Sequence, residues 1–186
     1  MWKKSISKLH IITPNRKINF KALKLIFKKN IQILQYRRKI KNIQIKTSEA
    51  FRLKKLCKQY NTLFIINDDI ELAKIINADG VHLGQNDVDI KTARKYLGEN
   101  KIIGITCHNN INLALKAQKN SADYVAFGAV FQSPTKPNAT PCALNIISKA
   151  KKLLTIPIVA IGGINNTNKH KVLKHGADSV AMISAA

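Results

Sequence analysis

The chain has 186 residues, enough for one domain around one hydrophobic core. Its apolar fraction of 45% is that of an ordinary globular protein, and no apolar run approaches the ~20 residues needed to span a bilayer. The net charge of +22 raises a nucleic-acid partner, but it comes almost wholly from Lys scattered over the expected helices. Arg, the better bidentate phosphate ligand, is scarce, so the charge reads as solvated helix faces without a specific nucleic-acid or membrane partner. The N-terminus, from Met1 to His10, is basic but lacks the apolar core and cleavage site of a signal peptide. Cys57, Cys107 and Cys142 are odd in number and unpatterned, which points to free thiols in a reducing compartment. The expected location is cytoplasmic.

Short runs rich in Ile, Val and Phe recur along the chain, and most end in a polar or glycine cluster. The first strand is expected over 9–13, followed by a helix over about 20–29. The second, 31–36, ends in Gln35-Tyr36-Arg37-Arg38-Lys39. Strand alternation puts Gln35, Arg37 and Lys39 on one side, where one amide and two cations suit a phosphate or diphosphate. A helix over 47–60, capped by Thr47 or Ser48, carries Ala50, Leu53, Leu56, Cys57 and Tyr60 as an apolar stripe.

The third strand, 63–67, ends in Asn67-Asp68-Asp69. Asp69 reads as the N-cap of a helix over 69–76, a role that leaves Asp68 unexplained. The fourth, 80–83, is followed by Gly84-Gln85-Asn86-Asp87 and a helix over 88–97. Asp68 and Asp87 thus end adjacent strands, and two carboxylates beside a phosphate site suit Mg²⁺. The plain alternative for Asp87 is a second N-cap.

The fifth strand, 102–106, precedes a helix over 110–119 capped by Asn110. His82 reads as structural; His108, just past Thr106, is placed to touch a ligand. The sixth strand, 124–127, opens into a long loop holding Ser133, Thr135 and Lys136, followed by a helix over 142–153. The seventh, 158–161, ends in Gly162-Gly163 before a helix over 166–174. The eighth is 179–183, with Ser184 after it. Loops after the last two strands of a barrel often cradle a phosphate with backbone N–H groups.

Continuous apolar strands alternating with helices imply a parallel sheet buried on both faces. Eight of them imply an α/β fold, a (β/α)8 TIM barrel forming a single domain over 1–186, with its site at the C-terminal ends of the strands. The final C-terminal helix is missing from the pattern. Its absence is expected to leave apolar surface near the first and last strands, favouring a homo-oligomer and weakening the second phosphate site.

The stretches Gln35-x-Arg37-x-Lys39, Ile65-Ile66-Asn67-Asp68, Ala78-Asp79-Gly80-Val81-His82-Leu83-Gly84-Gln85-x-Asp87, Gly104-Ile105-Thr106-x-His108, Pro134-Thr135-Lys136-Pro137 and Val159-Ala160-Ile161-Gly162-Gly163-Ile164 together resemble the thiamine-phosphate synthase family, over nearly the whole chain. The resemblance implies a transferase that joins 4-amino-5-hydroxymethyl-2-methylpyrimidine diphosphate to a thiazole phosphate, or its carboxylated precursor. The products are thiamine phosphate and pyrophosphate. It also implies that Gln35, Arg37, Lys39, Asn67 and Lys136 hold the diphosphate, and that Asp68 and Asp87 ligate the Mg²⁺ cofactor. Thr106 would contact the pyrimidine, and Ser133, Thr135, Gly163, Ile183 and Ser184 the thiazole phosphate. Arg37, Lys39, Thr106 and Lys136 would carry the catalysis. Ser133 stands where the family more often has Thr, and Pro137-Asn138-Ala139-Thr140 where an acidic residue is common. Two other readings compete: a thiazole tautomerase on the same barrel, which needs no diphosphate site, and a non-catalytic basic barrel that binds polyanions.

Overall fold

The computed structural model describes residues 9–29, 31–132 and 138–183. In chain order the elements are β1 (His10–Ile12), α1 (Phe20–Phe27), β2 (Ile33–Tyr36), α2 (Ile43–Gln59), β3 (Leu63–Asn67), α3 (Ile70–Ile75), β4 (Gly80–Leu83), α4 (Ile90–Leu97), β5 (Ile102–His108), α5 (Ile111–Lys119), β6 (Tyr124–Phe127), α6 (Leu144–Leu153), β7 (Ile158–Ile161), α7 (Lys169–Lys174) and β8 (Ser179–Ile183). All strands pair in parallel with their sequence neighbours, and β8 pairs with β1, so the sheet closes into a barrel.

The strands are apolar on both faces because each face packs a separate core. Outward residues such as Leu34, Phe64, Ile66, Val81, Ile103 and Val125 pack under the helices. Inward residues Ile12, Ile33, Ile65, Ile102, Tyr124, Ala126, Val159 and Ala181 fill the barrel. Tyr124 takes the space left by Gly104: a Cβ there would lie 2.0 Å from the tyrosine ring. Cys57, Cys107 and Cys142 are buried and free. No described helix is long and apolar enough to cross a membrane.

One expectation about the helices changes. Helix α2 starts at Ile43 and is capped by Asn42, whose side chain accepts the Ile45 N–H, so neither Thr47 nor Ser48 caps it. Its first turn presents Ile43 and Ile45 to solvent, which keeps that turn out of the apolar stripe. At the β8–β1 seam the outward residues Ile11 and Val180 are each 4% exposed, whereas Ile183 at the end of β8 is 39% exposed. Apolar exposure also falls on the helices to either side, at Leu25 of α1 and Leu173 of α7.

The end of the barrel away from the polar strand ends has its own repeated device. Asp79, Asp123 and Asp178 immediately precede β4, β6 and β8. Each accepts the backbone N–H of a residue in the preceding strand, Phe64, Ile103 and Ile158 respectively. Each also pairs with a cation on the second helix back, Lys54, Arg94 and Lys151. The matching position before β2 is Gln32, whose Oε1 is buried without a partner among the described residues.

Candidate active site

Strand alternation sorts the cluster after β2. Tyr36 donates its hydroxyl to Glu49 of α2 (2.8 Å) and Arg38 pairs with the same carboxylate, so both face outward. Gln35 and Arg37 face the barrel mouth, where they line a cavity of about 160 Å³ with Asn67, His82, Thr106, His108, Gly128, Gly162 and Ile183. Gln35 is buried and donates Nε2–H to Asn67 Oδ1 at 2.6 Å. That bond fixes the amide of Asn67, the residue shared with a second, open cleft lined by Lys39, Asp68 and Asp69. No local sequence pattern marks what holds this turn. Thr13 Oγ1 accepts the Arg37 N–H at 2.8 Å, and Asn15 Oδ1 accepts the Lys39 N–H at 2.7 Å, so the loop after β1 sets the backbone of both cations.

Asp68 adopts the left-handed conformation, φ 65°, and its N–H donates to the His82 carbonyl. Asp68 lines the open cleft beside Lys39 and Asp69. Asp69 caps α3 as expected. Asp87 is not a helix cap: α4 is capped by Asp89, which accepts from Lys91 and Thr92. Asp87 instead accepts the Gly84 N–H at 2.7 Å, within its own loop. Its carboxyl group meets that of Asp68. Burial, a hydrogen bond from the protonated Asp68 carboxyl to Asp87 and the Asp87 charge push Asp68 up to about 6, against the opposing pull of Lys39 and Arg37. Two carboxylates and two cations from three strand ends therefore converge.

This donor set fits Mg²⁺. The oxygens are hard, the carboxylates repel until a cation or a proton joins them, and the open cleft leaves room for water and phosphate oxygens. Among the described residues no group of three His, Cys, Asp or Glu is arranged to hold a metal ion.

Strand β5 runs past the expected end to His108, with a register shift between Thr106 and His108. Such a bulge re-aims side chains at a barrel rim, and Thr106 and His108 both line the cavity. Thr106 Oγ1 lies 2.8 Å from His82 Nε2, and its carbonyl accepts from Gln85 Nε2. His82 is thus inside the site, beside Tyr124, which sequence reasoning assigned no role.

The loops after β6 and β7 are laced together. Val130 N–H donates to the Ile161 carbonyl and Phe131 N–H to that of Gly162. Gly163, at φ 59°, sits so close to this loop that a Cβ would lie 2.3 Å from the Gln132 carbonyl. Asn168 holds the Gly163 carbonyl at 2.9 Å. Gly162 and Ile183 reach the cavity wall. Ser133, Thr135, Lys136 and Ser184 lie outside the described residues.

Comparison with known proteins points to one family. The family model for thiamine monophosphate synthase matches residues 9–186. A thiamine-phosphate synthase from Thioalkalivibrio sulfidiphilus is 43% identical over 95% of this chain and 85% of its own length. One from Saccharophagus degradans is 46% identical over 86% of this chain and 74% of its own. The solved thiamine phosphate pyrophosphorylase from Pyrococcus furiosus superposes with a TM-score of 0.88 at 33% identity, covering 98% of this chain and 88% of that one. An (β/α)8 barrel with its polar strand ends gathered at one mouth, matched in sequence along its length, places the chain in the thiamine-phosphate synthase family.

Proposed function

We propose that the barrel mouth forms thiamine phosphate with a fixed division of labour among its strand ends. The pyrimidine methyl carbon loses its bond to the diphosphate, which departs with the electron pair. The ring nitrogen of the thiazole phosphate then supplies the electrons of the new C–N bond. Because that nitrogen already carries a lone pair, no general base is needed, and the site can consist of charge and shape.

The observation that carries the reading is that Gln35 and Arg37 line the cavity at the barrel mouth while Lys39 and Asp68 line the adjoining cleft, with Asn67 shared by both. The cations are placed to stabilise negative charge as it develops on the leaving diphosphate, the larger share of such catalysis. Gln35 and Asn67 offer amide groups to the same oxygens, and Lys136 is assigned to them as well. Mg²⁺, when bound by Asp68 and Asp87, would neutralise diphosphate charge and favour its departure. Thr106 takes the pyrimidine at the cavity wall. Ser133, Thr135, Gly163, Ile183 and Ser184 are assigned to the thiazole phosphate, where the lacing around Gly163 supports a close backbone approach. The buried free thiols support a reducing, cytoplasmic setting.

The test is direct. The protein is given pyrimidine diphosphate, thiazole phosphate and Mg²⁺, and thiamine phosphate is measured. Product that vanishes with Arg37→Ala and with chelator supports the reading. Absence of product from the folded wild-type chain overturns it.

A further inference from the structure

We propose that His82 is a positioning residue that presents the Thr106 hydroxyl to the ligand as a hydrogen-bond donor. The inference rests on the reading of Thr106 as the pyrimidine contact. It specifies what kind of atom the pyrimidine must offer there.

His82 projects from β4 into the barrel and is 7% exposed. Its Nδ1 lies 2.9 Å from Tyr124 Oη and its Nε2 2.8 Å from Thr106 Oγ1. The two rings stack at 5.4 Å between centroids. Tyr124 is fully buried, and burial holds its phenol far above the usual tyrosine range, so the proton stays on it. Among the described residues its one hydrogen-bond partner is His82 Nδ1.

That single contact fixes the direction of the chain. A buried hydroxyl proton left without an acceptor is unfavourable, so the phenol donates to Nδ1. An imidazole that accepts at Nδ1 carries its proton on Nε2, and Nε2–H donates to Thr106 Oγ1. An imidazolium would donate from both nitrogens and orphan the phenol proton. Thr106 Oγ1 has then accepted its bond, and its own hydrogen is free to turn into the cavity that the residue lines. The matching ligand atom is an acceptor, such as a ring nitrogen of an aminopyrimidine, and not the exocyclic amino group. The opposite tautomer would make Thr106 an acceptor and reverse that preference.

The experiment uses the full chain. Imidazole nitrogen chemical shifts of selectively labelled protein report the His82 tautomer, and steady-state kinetics give KM separately for the pyrimidine diphosphate and the thiazole phosphate. The Nε2–H tautomer is expected in the wild type, and Tyr124→Phe is expected to weaken that preference. Losing one oriented hydrogen bond in His82→Leu should raise the pyrimidine diphosphate KM roughly tenfold and leave the thiazole phosphate KM in place. His82→Gln, which can set a donor near the Nε2 position, should restore most of the loss. If His82→Leu does not fold, Tyr124→Phe and the wild-type tautomer decide the matter. An Nδ1–H tautomer in the wild type overturns the inference. So does an unchanged pyrimidine KM in folded His82→Leu when Thr106→Val raises it. An unchanged KM in Thr106→Val overturns the pyrimidine contact itself, and this inference with it.

Discussion

Asp68 and Asp87, at the ends of neighbouring strands, bring their carboxyl groups into hydrogen-bonding contact. Two carboxyl groups share such a bond only with a proton between them, and Asp68 is accordingly pushed up to about 6. A raised carboxyl favours the protonated folded state. Its contribution to stability is therefore complete below the ordinary carboxylate range and is lost as pH rises through about 6. A divalent cation competes with that proton. Mg²⁺ is expected to bind more weakly as pH falls through this range, and to release protons on binding near pH 6. Calorimetric titration in buffers of different ionisation enthalpy measures the release. Mg²⁺ binding with no proton exchange at that pH would show that the pair is not the metal site.

Asp87→Asn separates charge from architecture. The Asn side-chain oxygen can still accept the Gly84 N–H that Asp87 accepts at 2.7 Å, so the loop after β4 should keep its shape. Under the proposed reading, the lost charge weakens Mg²⁺ binding. If the metal supplies even a few kcal/mol of leaving-group stabilisation, turnover should fall ~100-fold or more. The melting temperature should hardly move. Near-normal turnover would make Asp87 a loop residue only.

The start of α2 gives a local test. Asn42 accepts the Ile45 N–H, whereas Thr47 makes no cap bond. Asn42→Ala is expected to destabilise the fold by about 1 kcal/mol. Thr47→Ala should change it by less than ~0.5 kcal/mol, since it leaves every cap in place. Urea denaturation of the two variants distinguishes them, and a larger loss at Thr47 would move the helix start back toward it.

The strand ends were legible because burial on both faces leaves little except apolar residues inside a strand, so the first polar residue marks the rim. β3, β4, β6, β7 and β8 stand where the apolar runs put them. The α2 start was hidden because its first turn, with Ile43 and Ile45 in solvent, does not obey the buried-stripe period. Asp87 resembled a cap because it precedes a helix, but Asp89 lies closer to that helix and has the geometry. His82 looked structural because it sits within an apolar run; its link to Thr106 needed the β4–β5 register, which pairs it beside Gly104. Thr13 and Asn15 act through backbone bonds to residues far along the chain, and no local pattern announces such bonds.

The carboxylates at the opposite end of the barrel should differ in worth despite their common design. Asp123 accepts the Ile103 N–H and pairs with Arg94 at 2.7 Å, and the two side chains are 15% and 11% exposed. Asp178 does the same for Ile158 and Lys151, but the Lys151 side chain is 46% exposed. Asp123→Ala strands a strand N–H and leaves the charge of the nearly buried Arg94 unpaired, although its guanidinium keeps the carbonyls of Lys101 and Ser121, and is expected to cost about 3 kcal/mol. Asp178→Ala strands the N–H alone, because Lys151 can turn to water, and is expected to cost about 1–2 kcal/mol. Urea midpoints at constant m-value measure both. Equal losses would mean that the shared backbone bond, and not the burial of the cation, sets the strength of all three carboxylates.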